Sequence, residues 1–366
     1  MASRPTRGAD LAGASRLAID AVAGVTELVE AVHMNVLHKA IGAPAVRPVA
    51  GITALVYRSV KGVTRLVGGG LDAVLGRLVP ALGEPADWKG RDAVLAALNG
   101  VLGDRLEQSG NPLAIPMRLK PRGTPGARIA LLAHGLCMND QQWLRDGVDH
   151  GAMLERELGY TPVYLHYNSG RHISVNGREL ATRLQQLVDG WPVPVEEIVI
   201  VGHSMGGLVA RSACHYGHAW LGQLRSMVFL GTPHHGAPLE RGGNWVHLIT
   251  DLTPYSAPFS RLAKIRSAGI TDLRHGSLLD EDWTGKDRFA HGVLPHVLPL
   301  PPNVRCFAVA GTLGREHSEL GDGLVPLASA LGQSGLDMER ATVYQTNHMQ
   351  LLSSPEVGRQ LLDWLG

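Results

Sequence analysis

Glu197-Ile198-Val199-Ile200-Val201-Gly202-His203-Ser204-Met205-Gly206-Gly207 passes from an apolar β-branched run, through one serine fenced by glycines, into a stretch with helical spacing. Residues 197–201 read as a buried strand, and residues 205–218 as the helix that follows it. A serine between them sits on a sharp strand-to-helix turn. Such a turn is strained, so Gly202 and Gly206, with Gly207 behind them, let neighbouring backbone pass where a Cβ would clash. The turn lifts the Ser204 hydroxyl toward substrate. The bland reading is a glycine-rich turn with a capping serine; a Val/Ile strand before it and a helix after it favour a nucleophile. His203, the variable position of this G-x-S-x-G pattern, is expected to point away and support the turn.

Outward from this turn the chain alternates short apolar runs with helical stretches, which predicts a mostly parallel sheet with crossover helices. The candidate strands are residues 128–133, 162–166, 197–201, 226–230, 304–309 and 342–345, and the clearest helices are 177–190 and 205–218. Residues 239–302, rich in Gly, Pro, Trp and His, fall between two of these strands and are expected to form a cap. There Trp245, Leu248, Ile249, Leu252, Tyr255 and Phe259 are candidates for lining an apolar pocket, or for plain packing. Upstream, residues 1–110 read as a helical region and 111–126, with Pro112, Pro116, Pro121 and Pro125, as a linker. In that helical region Val22, Val25, Val29, Val32 and Val36 mark one apolar face.

A serine hydroxyl is a poor nucleophile at neutral pH, so it needs a base to take its proton and an acid to orient that base. On a strand–serine–helix elbow both follow the serine in the chain, acid first. Asp322, in Gly321-Asp322-Gly323-Leu324-Val325-Pro326, lies in a turn past the strand at 304–309; His348, in Thr346-Asn347-His348-Met349, follows the last strand. Other carboxylates compete: Asp280, Glu281 and Asp282 in the cap, and Glu316 and Glu319, which lack flanking glycines. Among 17 histidines, His234 and His235 follow the strand at 226–230 and are expected to shape a wall of the site. Acyl transfer creates an oxyanion that needs two backbone N–H donors. Met205 supplies one by position, and Leu136, in His134-Gly135-Leu136 after the strand at 128–133, supplies the other.

Composition removes several alternatives. The chain has 366 residues, a net charge of +1 and 18% charged residues, which gives no electrostatic footprint for nucleic acid. Three scattered cysteines and the absence of C-x-x-C or Cys/His ligand spacing predict neither a disulfide framework nor an assignable metal site. Arg4, Arg7 and Arg16 are followed by an apolar stretch broken by Asp20, Glu27 and Glu30, so no secretory leader is expected, and a cytoplasmic location is the simpler expectation. Between residues 52 and 67, Arg58, Lys61 and Arg65 share one helical face and Ile52, Leu55, Val56, Val63, Leu66 and Val67 the other. A basic amphipathic helix of this kind suits peripheral contact with an anionic membrane; packing on neighbouring helices is the alternative.

Together the elbow, His134-Gly135-Leu136, Leu230-Gly231-Thr232-Pro233-His234-His235-Gly236, Asp322-Gly323-Leu324-Val325-Pro326 and Asn347-His348 resemble the lipase and esterase branch of the α/β-hydrolase family. That branch includes bacterial triacylglycerol lipases and the hydrolase domain of the inositol-deacylase group. The resemblance runs over most of residues 128–366. It implies an α/β-hydrolase fold with a cap, hydrolysing acyl esters or lipids through an acyl-serine and without a cofactor; the N-terminal helical region lies outside the resemblance. Ser204, Asp322 and His348 would be the triad, Leu136 and Met205 the oxyanion donors, and Gly202, His203, Gly206, Gly207, His134 and Gly135 their support. Some secreted relatives hold calcium; no calcium site is assigned here. An acyltransferase, a thioesterase or a silent lipid-binding scaffold on the same fold are the rival expectations.

Overall fold

A computed structural model of the protein describes residues 91–237, 267–286, 296–316, 320–333 and 335–366. The chain falls into two compact units, one of Met1–Lys89 with Leu106–Ala114, the other of Gly90–Arg105 with Ile115–Gly366. The second holds the sheet.

The strands are β1 (Arg118–Pro121), β2 (Arg128–Ala133), β3 (Leu144–Arg145), β4 (Val148–Asp149), β5 (Thr161–His166), β6 (Glu197–His203), β7 (Leu224–Leu230), β8 (Arg305–Thr312) and β9 (Glu339–Tyr344). Seven of them form one sheet in the order β1-β5-β2-β6-β7-β8-β9, while β3 and β4 make a separate small hairpin. Every pairing in the large sheet is parallel except β1 on β5. The strands β2, β6, β7 and β8 are buried almost throughout, which is why their sequences are continuous apolar runs rather than alternating ones. The architecture is that of the α/β-hydrolase fold.

The helices are α1 (Arg91–Gln108), α2 (His150–Leu158), α3 (Ile173–Asp189), α4 (Met205–Tyr216), α5 (Ala268–His275), the single turn α6 (Leu327–Ala330) and α7 (Pro355–Leu365). Their limits follow from local chemistry. Asp149 caps α2 by accepting from the Gly151 and Ala152 amides, and Gly159 ends it in the left-handed region at φ 71°. Ser354 caps α7, whose first residue, Pro355, has no amide proton to leave unpaired. Two packed pairs, α3 with α4 and α2 with α7, flank the sheet.

Two differences from the sequence reading stand out. Arg118–Pro121, inside the stretch expected as a linker, is an edge strand; its charged residues and terminal proline suit an edge and carry no apolar run. The last strand begins at Glu339, because Glu339 and Arg340 are exposed edge positions that hydropathy passes over, and it stops at Tyr344, because Gln345 has φ 52°. The helices expected before residue 90, among them the basic amphipathic one, lie outside the described residues. So do the six cap residues from Trp245 to Phe259. Of the expected cap, residues 267–286 and 296–302 are described, including α5. Among the described residues no helix is long and apolar enough to cross a membrane.

Candidate active site

From β2 the chain crosses to β5 on one side and then returns to β6 on the other. The carboxyl ends of β2 and β6 therefore flank the point where strand order reverses, the usual place for a crevice in an open α/β sheet. The serine turn and the His134-Gly135-Leu136 loop emerge there.

Ser204 has φ 53° and ψ −125°, a region that non-glycine residues enter only when their surroundings force them. Its amide donates to Leu230 O at 2.8 Å, and its carbonyl accepts from Gly207 N at 3.1 Å. The glycines are required by close approach. A Cβ at Gly202 would lie 2.5 Å from Gly207 Cα, and one at Gly206 only 2.2 Å from Ala133 O. Helix α4 thus starts against the backbone at the end of β2.

Asp322 and His348 meet behind this turn. His348 Nδ1 lies 2.6 Å from Asp322 Oδ2, and both side chains are buried. The other carboxylate oxygen accepts from the Leu324 amide at 3.0 Å and the Val325 amide at 2.8 Å, and His348 N donates to Asp322 O at 3.0 Å. The carboxylate is held by its own turn and orients the imidazole through Nδ1, which leaves Nε2 outside this contact. The strand ends bring this pair to the serine: Leu230 O holds Ser204 N, and a Cβ on the next residue, Gly231, would sit 3.1 Å from both Asp322 Oδ2 and His348 Cε1.

An imidazole beside a carboxylate is not distinctive by itself. His172 lies 3.0 Å from Asp272, His296 2.7 Å from Asp282 and His166 2.8 Å from Asp140. The Asp322–His348 pair is the one that lies against Gly231, next to the Leu230 carbonyl that holds Ser204 N. The rival acids are engaged elsewhere or point out: Asp282 with His296, Asp280 with Arg178, and Glu316 at an exposed position. Glu319 lies outside the described residues.

His203 is fully buried. Its Nε2 donates to His348 O at 3.1 Å, and its ring lies 4.7 Å from that of His348. Burial, reinforced by His348, holds its pKa far below the ordinary imidazole range, so it stays neutral while it ties the base-bearing loop to β6. On the other wall, burial depresses His134 to about 3; its Nδ1 pairs with Gly135 O at 2.9 Å and its ring stacks on Tyr167 at 4.4 Å. A Cβ on Gly135 would be 3.0 Å from Ser204 Cβ, which puts this loop directly against the serine. The Leu136 and Met205 amides have no hydrogen-bond partner among the described residues.

The loop brings in residues that the sequence reading missed. Tyr167 Oη donates to His134 O at 2.9 Å, and Cys137 N donates to Ser169 Oγ at 3.0 Å. Their signal was the polar run Tyr167-Asn168-Ser169 directly after a strand neighbouring β2. His234 and His235, expected at the site wall, face other partners. His234 Nδ1 lies 3.2 Å from Arg211 Nη1 and its ring stands edge-on to Phe229, while the His235 side chain is exposed and its backbone amide donates to Ser329 Oγ at 3.1 Å. Burial lowers the Arg211 pKa to about 10 and, with Arg211 beside it, pushes His234 well below its usual range. Among the described residues no cluster of His, Cys, Asp or Glu could hold a metal ion.

Residues 130–297 match the PGAP1-like alpha/beta domain. This PGAP1-like segment contains the serine elbow and the His134 loop, whereas Asp322 and His348 fall beyond it, so their place in the site rests on geometry. No curated protein matches the chain. Solved structures similar to it include the mature lipase BlEst2 of Bacillus licheniformis, at 16% identity and TM-score 0.46, over 68% of this chain and 98% of that one. The Pyrococcus furiosus esterase PF2001 is similar at 15% identity and TM-score 0.42, over 69% and 88%. MGS-M2, an alpha/beta hydrolase from a deep-sea metagenome library, is similar at 12% identity and TM-score 0.43, over 69% and 95%.

Proposed function

We propose that the protein is a serine hydrolase that cleaves carboxylic esters of lipase or esterase type through an acyl-serine intermediate. The observation that carries this reading is the buried Asp322–His348 pair set beside a serine held at φ 53°. His348 Nε2 takes the Ser204 proton as Oγ bonds to the ester carbon, and the carbonyl electrons move onto oxygen, where the Leu136 and Met205 amides receive the charge. Collapse of this adduct breaks the ester C–O bond, and His348 returns the proton to the departing alkoxide. Water, deprotonated by the same imidazole, then attacks the acyl-serine and releases the acid. Losing one such amide typically lowers rate by about 10² to 10³.

Turnover of p-nitrophenyl esters from acetyl through long acyl chains, with fluorophosphonate labelling, tests the reading on wild type and Ser204→Ala. Turnover and labelling in wild type alone support it, and the chain-length profile separates esterase from lipase. Silence of wild type in both assays sinks it and leaves the lipid-binding scaffold. Transfer to added alcohol, or faster cleavage of acyl-thioesters, would redirect it to an acyltransferase or thioesterase. In this reading the substrate is met at a membrane, through the basic face of residues 52–67 on an otherwise cytoplasmic protein; failure of the full chain to float with anionic liposomes removes that part.

A further inference from the structure

Helix α1 precedes the matched segment, and none of the motifs read from the sequence falls in it, yet Gly90–Arg105 belongs to the same compact unit as the sheet. It is buried on every side over Ala96-Ala97-Leu98-Asn99-Gly100-Val101-Leu102-Gly103. Two glycines in a helix interior weaken it relative to alanine, so their smallness must serve a close approach. A Cβ at Gly100 would lie 2.2 Å from Cys137 Sγ and 2.9 Å from both Cys137 Cα and Cys137 N. The helix therefore lies on the backbone of the residue that follows Leu136.

Cys137 is itself left-handed, at φ 60°, a conformation a cysteine keeps only when held. It is held from two sides, by Gly100 behind it and by Ser169 Oγ accepting its amide at 3.0 Å. The Ser169 loop is fastened to the same helix, because Asn168 Nδ2 donates to Gly103 O at 2.9 Å. The next faces of the helix meet the insertion: Ser267 Oγ donates to Gly100 O at 2.7 Å, and Asp104 Oδ2 accepts from the Ala268 amide at 3.0 Å at the start of α5. One helical turn thus touches the loop behind Leu136 on one side and the first residues of α5 on the other.

We propose that Gly100 and Ser169 are positioning residues for ester cleavage: through Cys137 they fix where the Leu136 N–H points, and α1 couples that direction to the insertion. The proposal rests on the hydrolase reading above. A displacement on the order of 1 Å of a catalytic group can cost about 10²-fold in rate. Gly100→Ala is expected to lower kcat by about 10- to 10²-fold with KM within about threefold, and to weaken an alkyl boronic acid, which mimics the tetrahedral adduct, in parallel. Adding Cys137→Gly removes Sγ, the nearest atom, and suits φ 60°, but leaves Cα and N 2.9 Å from the new Cβ, so the double variant should regain only part of the kcat and boronate affinity. Ser169→Ala, a milder change, should lower kcat by roughly tenfold with the melting temperature lowered by only a few degrees, since it leaves the buried Cys137 amide without its acceptor, and it carries the test if Gly100→Ala does not fold. Parental kcat and boronate affinity in both folded single variants overturn the proposal, as does a kcat loss with boronate affinity unchanged. A wild type without turnover or fluorophosphonate labelling is a different result: it removes the hydrolase reading itself, and the helix proposal falls with it.

Discussion

The serine elbow and the His134–Cys137 loop meet at the carboxyl ends of β6 and β2 and are proposed to supply the two amides of one site, but they are braced in different ways. The elbow is held partly by its own residues, with Gly202 against Gly207, and partly by the ends of the two neighbouring strands, with Gly206 against Ala133 O and Ser204 N donating to Leu230 O. The loop has a left-handed cysteine at its end, kept in place by a helix far upstream in the chain and by a serine after β5. A geometry made by adjacent residues is written locally in the sequence. A geometry made by distant packing is not.

The contrast can be broken in graded steps. Asp322→Asn touches neither brace and removes only the orientation of the base, so kcat should fall by about 10⁴ with labelling slowed alike and the fold intact; a loss below about tenfold would mean that another acid serves His348. Gly206→Ala forces a Cβ to 2.2 Å from Ala133 O, a backbone atom that cannot swing away. Ester turnover should drop by at least about 10², with reduced soluble yield. Retention of parental turnover would show that the end of β2 does not brace the elbow.

Acid should loosen both regions together. Burial lowers the pKa of His134 to about 3 and also depresses His150, His203 and His234. Each is neutral when folded and titrates near about 6.5 when unfolded, so the unfolded chain binds more protons below that pH. Stability should be full above about pH 6.5 and fall as pH drops, by up to ~1.4 kcal/mol per pH unit for each imidazole. Chemical denaturation from about pH 7.5 down to about 5 reads this directly, and His134→Gln should flatten the slope by one proton's worth; a level profile contradicts the assignment. The smallest effect is expected for Cys137→Gly alone. Relief of left-handed strain opposes the loss of a buried thiol, so stability should move by less than about 1 kcal/mol and kcat by less than about threefold. A collapse of activity would mean that the thiol itself, and not the path of the backbone, shapes the loop.

The same distinction explains what the sequence made legible. The strands 128–133, 197–201 and 226–230 could be read because burial on both faces demands unbroken apolar runs, and Ser204 because its glycines adjoin it. The turn that carries Asp322 was legible because its flanking glycines mark it, and the structure shows that turn supplying the Leu324 and Val325 amides to the Asp322 carboxylate. Arg118–Pro121 could not, since an edge strand with one neighbour needs little hydrophobicity. Nor could Tyr167, Ser169 and Gly100, whose value depends on which loop they meet after folding.

The two outermost strands have a consequence of their own. At one margin of the sheet β1 carries Arg118, Lys120 and a closing proline; at the other, β9 begins with Glu339 and Arg340, and the Arg340 guanidinium donates to the Leu331 and Leu336 carbonyls. A second molecule adding a strand at the first margin would strip water from a row of cations and meet a residue without an amide proton. At the second it would have to bury a carboxylate. The sheet is thus terminated chemically at both ends, and its apolar centre is kept from templating the stacking of one molecule on another during synthesis and refolding.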